Sequence, residues 1–170
     1  MQVTMSVKYV QFGGTKDDAI ANGHSFLPAA LVDSVWETYI INGTGTQLSD
    51  KSNHTADYAA IEVTITVGAI SGLLDTAARY KITLTTTVGN DADDGKQAAV
   101  TDFEWKLNDA ASANLTSATQ VLKNDIQESA SEQVFTLLIW LDGAVVDNNN
   151  IALGSTTFNV AFDKVTPAQP

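Results

Sequence analysis

Residues 133–143 read Q-V-F-T-L-L-I-W-L-D-G, the longest apolar run in the chain. Side chains of an extended strand alternate between its two faces. Phe135, Leu137, Ile139 and Leu141 fall on one face, and Val134, Thr136, Leu138 and Trp140 on the other. A half-solvated strand would carry polar residues at every second position, whereas this one is nearly apolar on both faces. It needs cover on both sides, either at the centre of a sandwich or beneath another subunit. Asp142 and Gly143 then supply a turn, and no apolar segment of the chain is long enough to span a bilayer.

The rest of the chain supplies strands of similar length. Residues 2–12 alternate, with Val3, Met5, Val7 and Tyr9 on one face and Gln2, Thr4, Ser6 and Lys8 on the other. Residues 13–18, G-G-T-K-D-D, read as a connector or a plain loop, and 19–25 as loop. Residues 25–31 predict a short strand that Pro28 confines to an edge. Residues 35–41 form a stronger strand, rich in aromatic and β-branched side chains, and 42–55 a long polar loop. The clearest half-buried strand is 58–67, with Ile61, Val63, Ile65 and Val67 inward and Glu62, Thr64 and Thr66 outward. In 68–78, Ile70, Leu73, Leu74 and Ala77 have helical spacing, so one short helix or a packed loop is expected there.

Further strands follow over 79–88, with Tyr80, Ile82, Leu84 and Val88 inward, and over 99–107, with Thr101, Phe103, Trp105 and Leu107 inward. A weaker one covers 119–126, with Leu122 and Ile126 as its apolar positions, and the last covers 155–163. Residues 164–170 form a tail with two prolines. Regularly spaced short strands separated by turn clusters point to a sandwich or barrel. The expected fold is all-β: a single antiparallel β-sandwich over residues 1–170, jelly-roll-like, with at most one short helix.

Composition narrows the partners. A chain of 170 residues fits one domain and buries enough surface to need no staples. It has no cysteine, so disulfides are excluded. Its 20 acidic and 9 basic residues give a net charge of -11, which argues against nucleic acid and anionic membrane surfaces as partners. Charged residues are only 17% of the chain, so much of the surface must be Thr, Ser, Asn and Gln. No basic segment followed by an apolar one opens the chain, so no signal peptide is read in it.

No catalytic constellation stands out. The two histidines, His24 and His54, lie in loop readings without zincin spacing, and no G-x-S-x-G elbow is present. Asp91, Asp93 and Asp94 before Gly95 resemble a loose calcium loop but lack the full EF-hand pattern, and read first as a hairpin turn. The stretch Asp147-Asn148-Asn149-Asn150 reads the same way. Three N-x-S/T sequons, at Asn42, Asn53 and Asn114, are candidate glycosylation sites in or beside loops. Trp36, Trp105 and Trp140 suggest a sugar-binding face at first sight, but Trp105 and Trp140 sit inside alternating strands and read as core. No cofactor is expected, and the chain does not read as an enzyme.

The end of the chain carries a resemblance. The run T-L-L-I-W-L-D-G, the Asn-rich stretch 147–150, then a Gly and the alternating strand T-T-F-N-V-A-F resemble the C-terminal part of the TasA/camelysin family. Those are secreted β-sandwich proteins that build biofilm-matrix filaments, and archaeal bundling pilins are similar in fold and assembly. The likeness covers about the last 40 residues, by strand and turn pattern. Where the family often has acidic or Cys residues after the Gly of the turn, this chain has Ala144-Val145-Val146.

The resemblance implies an extracellular or cell-surface structural subunit, a homopolymer of pilus or filament type with a biofilm or cell-cell association role, processed from a longer form. Met1 favours the literal start instead. On this reading residues 1–16 are a donor strand and connector, with Val3, Met5, Val7 and Tyr9 filling a groove in the next subunit by strand addition. The same alternation serves an ordinary first strand equally well. Two other classes stay open: a virion capsid, tail or decoration protein, and a secreted carbohydrate- or calcium-binding module.

Overall fold

The computed structural model describes residues 1–32, 35–41, 47–49, 55–89, 98–144 and 156–166. Among them the backbone forms strands and turns, with one 3-10 turn at Val100–Asp102 and no α-helix. The strands are β1 (Val3–Gln11), β2 (Lys16–Asp17), β3 (Ala29–Val32), β4 (Val35–Ile41), β5 (Gln47–Ser49) and β6 (Tyr58–Val67). They continue with β7 (Tyr80–Thr87), β8 (Phe103–Leu107), β9 (Ala113–Asn114), β10 (Thr119–Ile126), β11 (Gln133–Leu141) and β12 (Thr157–Lys164).

The central sheet has the order β2-β1-β6-β11-β8-β9, and a second sheet the order β10-β7-β12, with every pairing antiparallel. The chain changes sheet between β6 and β7, β7 and β8, β9 and β10, β10 and β11, and β11 and β12. This is the to-and-fro winding of a sandwich, and the fold is the expected all-β one. A third, smaller sheet, β3-β4-β5, lies on the other side of the central sheet.

Alternation explains which residues meet between the two main sheets. Val63, Ile65 and Val67 of β6, Phe135, Leu137, Ile139 and Leu141 of β11, and Phe103 and Leu107 of β8 share one face and are buried. Ile82 and Leu84 of β7 and Ile126 of β10 close on them from the second sheet. Phe103 meets Phe158 of β12 edge to face at 5.0 Å, joining the sheets with the ring geometry aromatic quadrupoles favour. Burying side chains of this size contributes about 1.5–3 kcal/mol each.

The outer face of β11 receives its cover within the chain, at one end. Trp140 is buried among Val10, Phe12, Leu27, Ala29, Trp36, Ala59 and Ala60, with Leu31 and Leu138 at the margin. Trp36 and Trp140 meet at 5.3 Å with their planes 77° apart, and the Trp140 indole N–H donates to Glu104 Oε2 at 3.1 Å. At the other end of the same face Val134 is 49% exposed. The double-sided strand is thus covered twice over its second half and once over its first.

One open expectation is decided and one is corrected. No helix forms in 68–78, and Leu73 is fully exposed. Asp75 Oδ1 accepts the backbone N–H groups of Ala77 at 3.0 Å and Ala78 at 3.1 Å. A carboxylate that bonds nearby backbone in this way offers an alternative to the helical ladder. Thr101 is exposed rather than inward, because it lies in the 3-10 turn ahead of β8. Thr86, on the same face as Ile82 and Leu84, is buried too, and Val88, just past the end of β7, is half-buried.

Candidate assembly surface

The first strand sits along β6 in a ladder from Val3↔Val67 to Gln11↔Tyr58, with one bulge between Val10 and Gln11. Directly opposed residues share a face. Val3, Met5, Val7 and Tyr9 therefore stand beside Val67, Ile65, Val63 and Ile61, on the side that carries the inner core. They are not covered like their neighbours. Val3 packs against the core and Tyr9 is half-buried against Tyr58, ring to ring at 6.3 Å. Met5 is 41% and Val7 45% exposed. The opposite face of β1 contributes Val10, which is buried in the outer cluster with Phe12.

Beside this strip runs an apolar trough of about 460 Å³. Val7, Tyr9, Ile61 and Val63 form part of its lining, Phe103 and Ile139 another part, and Thr156, Thr157 and Phe158 the side contributed by the second sheet. Ile20 and Phe26 line it as well. Among the described residues β12 pairs with β7 alone, through Thr157↔Thr87 to Lys164↔Tyr80. Its inward Phe158, Val160 and Phe162 are only partly buried. An edge strand with apolar inward residues beside an apolar trough has the form of a seat for a further strand.

The segment after β1 is folded back on it. Gln11 N–H donates to Thr15 O at 2.8 Å and Gly14 N–H to Gln11 O at 2.9 Å, closing a turn in which Gly14 has φ +91°. Residues 16–17 then pair with Tyr9 and Val10 as β2. The connector reading of 13–18 thus falls on a tight hairpin. Tyr58, fully buried, fastens it: its hydroxyl donates to Asp17 Oδ2 at 2.7 Å and accepts from Ala21 N–H at 3.0 Å. Gln11 Nε2 donates to the same Asp17 oxygen at 2.9 Å, and Lys16 is paired with Glu62 at 2.7 Å.

The remaining candidate residues are scattered. Asn114 is half-buried in β9, and its Nδ2, the atom a glycan would take, donates to Asp142 Oδ2 at 2.9 Å. Asp142 is itself 7% exposed and also accepts from Ala144 N–H. Asn42, Asn53, His54, Asp91, Asp93, Asp94 and residues 147–150 lie outside the described residues. His24 is exposed, with Nδ1 3.5 Å from Asp57 Oδ1. Among the described residues no group of three metal-ligating side chains converges, and no helix is long and apolar enough to cross a membrane. Trp36 and Trp140 belong to the outer cluster and Trp105 packs against the inner one.

Sequence reasoning found the β1 face but missed the trough, since its walls come from β1, β6, β8, β11 and β12 and no local pattern announces their proximity. No family model, no curated protein and no solved structure matches this chain.

Proposed function

We propose that this chain is the structural subunit of an extracellular filament or pilus, polymerising by donor-strand exchange of its N-terminal strand, with a role in biofilm or cell-cell association. The observation that carries the reading is the seat of β1. A terminal strand is held by a ladder along β6, and its core-side Met5 and Val7 stay 41% and 45% exposed beside an open apolar trough. The ladder is the same whether β1 comes from its own chain or from a neighbour, so exchange conserves its hydrogen bonds. Exchange alone leaves Met5 and Val7 as exposed as before; the body of the neighbouring subunit, brought alongside by the shared strand, would cover them and the trough, and that burial favours the polymer by about 25 cal/mol per Å². The C-terminal resemblance to TasA/camelysin-like filament proteins supports the same assignment.

Electron microscopy of the purified protein over a range of concentrations tests it. Thin fibres are expected, and a chain lacking residues 2–12 should form none. The double variant Met5→Asp/Val7→Asp keeps Val10 and Phe12 and so retains the monomer fold; it too should yield no fibres. Fibres from either variant, or wild-type particles that stay monomeric or close into shells at every concentration, would overturn the reading.

A further inference from the structure

We infer that the exchanged unit is the whole N-terminal hairpin with the loop to Ala21, and that the chain crosses between subunits at Asn22–His24. This rests on the strand-exchange reading and specifies how it is carried out. Contacts between the moving segment and its seat are remade in the neighbour, so they do not discriminate between hinges. The bonds that are lost are those inside the turn that must straighten.

A hinge at residues 13–15 would open the turn bonds Gln11 N–H to Thr15 O at 2.8 Å and Gly14 N–H to Gln11 O at 2.9 Å. Among the described residues a hinge at 22–24 opens one backbone bond, His24 N–H to Ala21 O at 3.2 Å, and disturbs the 3.5 Å contact of the exposed His24 with Asp57. Residues 18–25 are all exposed, so straightening them uncovers no core. Gly23 holds the turn with φ +83° and has nothing within 4 Å of where a Cβ would stand. Glycine takes left-handed and extended backbone alike, so Gly23 can straighten as an exchange hinge must; Gly14 in the rival turn, at φ +91° and equally open, has the same freedom, and the bonds opened decide between the two.

The hairpin also travels well as a unit. Backbone pairing Tyr9↔Asp17 and Val10↔Lys16 and the Gln11–Asp17 bond are internal to it. In the polymer Tyr58 of one subunit then holds Asp17 and Ala21 of the next, and Glu62 holds the next subunit's Lys16.

The test assembles an equal mixture of 14N- and 15N-labelled protein after joint unfolding. Carbodiimide converts the Lys16–Glu62 ion pair to an amide, and mass spectrometry reads whether the 16–62 link joins light to heavy chains. In parallel, a Ser6→Cys/Thr64→Cys variant reads β1 itself. These residues are direct partners on β1 and β6, at a spacing that permits a disulfide, and the chain has no other cysteine. Mixed-isotope links at both positions are expected. Mixed disulfides with same-chain 16–62 links would move the hinge to 13–15 and overturn this inference while leaving strand exchange standing. Same-chain links at both positions would overturn strand exchange and the hinge together. Gly23→Val, which disfavours the left-handed turn, should lower the concentration at which polymers form; an unchanged or higher one counts against the hinge.

Discussion

Within single rows of the central sheet, residues on the same face meet opposite conditions. Val63 of β6 stands between Val7 of β1 and Leu137 of β11; Ile65 stands between Met5 and Phe135. Leu137 and Phe135 are 0% and 6% exposed, Val7 and Met5 45% and 41%. All four are apolar, point the same way and pair with β6. The difference is the lid: strands β10, β7 and β12 close over β6, β11 and β8, and of β1 only Val3 packs against that core. Alternation decides which face a side chain takes. It does not decide whether anything lies over that face.

The row containing Val63 offers the most direct way to break this comparison. Leu137→Ala should destabilise the folded chain by about 2–5 kcal/mol, since a fully buried leucine leaves a cavity between two sheets. Urea unfolding reads the loss directly, and a cost under half of the lower figure would mean the lid is loose over β11. The next effect sharpens what cover does to polar groups at the end of the same strand. Asn114→Ala removes a donor from the buried Asp142 carboxylate, and should cost about 1–3 kcal/mol by the same measurement. If the site tolerates the loss freely, water already reaches Asp142.

Val7→Ala, in dilute protein, should cost less than about 1 kcal/mol. A loss approaching that of Leu137→Ala would show that β1 is covered after all, and would remove the reason for a neighbour to add there. The smallest effect lies at the rim of the lid. Tyr80 of β7 stacks on Phe162 at 5.4 Å and donates to Glu128 Oε1 at 3.0 Å. Desolvation, then the bond to Glu128 and the charges of Glu128 and Asp75, raise its pKa above the ordinary 10.0. Because the folded value is the higher one, the stabilisation is complete below the unfolded pKa and is lost as pH rises through the folded pKa. The wild-type urea midpoint should therefore fall above pH 10.0 by slightly more than that of Tyr80→Phe. Parallel pH profiles would place the phenol in ordinary solvent.

Most strands were legible because their patterns are local. β4, β6 and β11 lie where alternation or β-branched density places them, since one covered face imposes a period of two. The helical spacing at 70–77 left a helix and a loop open; the chain takes the loop, with Leu73 facing water and Asp75 turning the chain. The outer cluster was half legible: the twofold apolar character of β11 demanded a second cover, but nothing near Trp140 in sequence names Trp36, Val10 or Phe12 as its source. The trough was not legible at all. It depends on sheet order, and sheet order is fixed by contacts between strands distant in sequence.

The crossed indoles of Trp36 and Trp140 have a further consequence. Aromatic chromophores 5.3 Å apart with planes at 77° couple electronically, and their oblique transitions split into circular-dichroism bands of opposite sign. Neither indole lies on the segment proposed to change partners. The paired bands should therefore persist unchanged through the proposed exchange between copies, and collapse when the β3–β4 layer lifts from the central sheet. One spectrum thus tells a rearranged protein from an unfolding one.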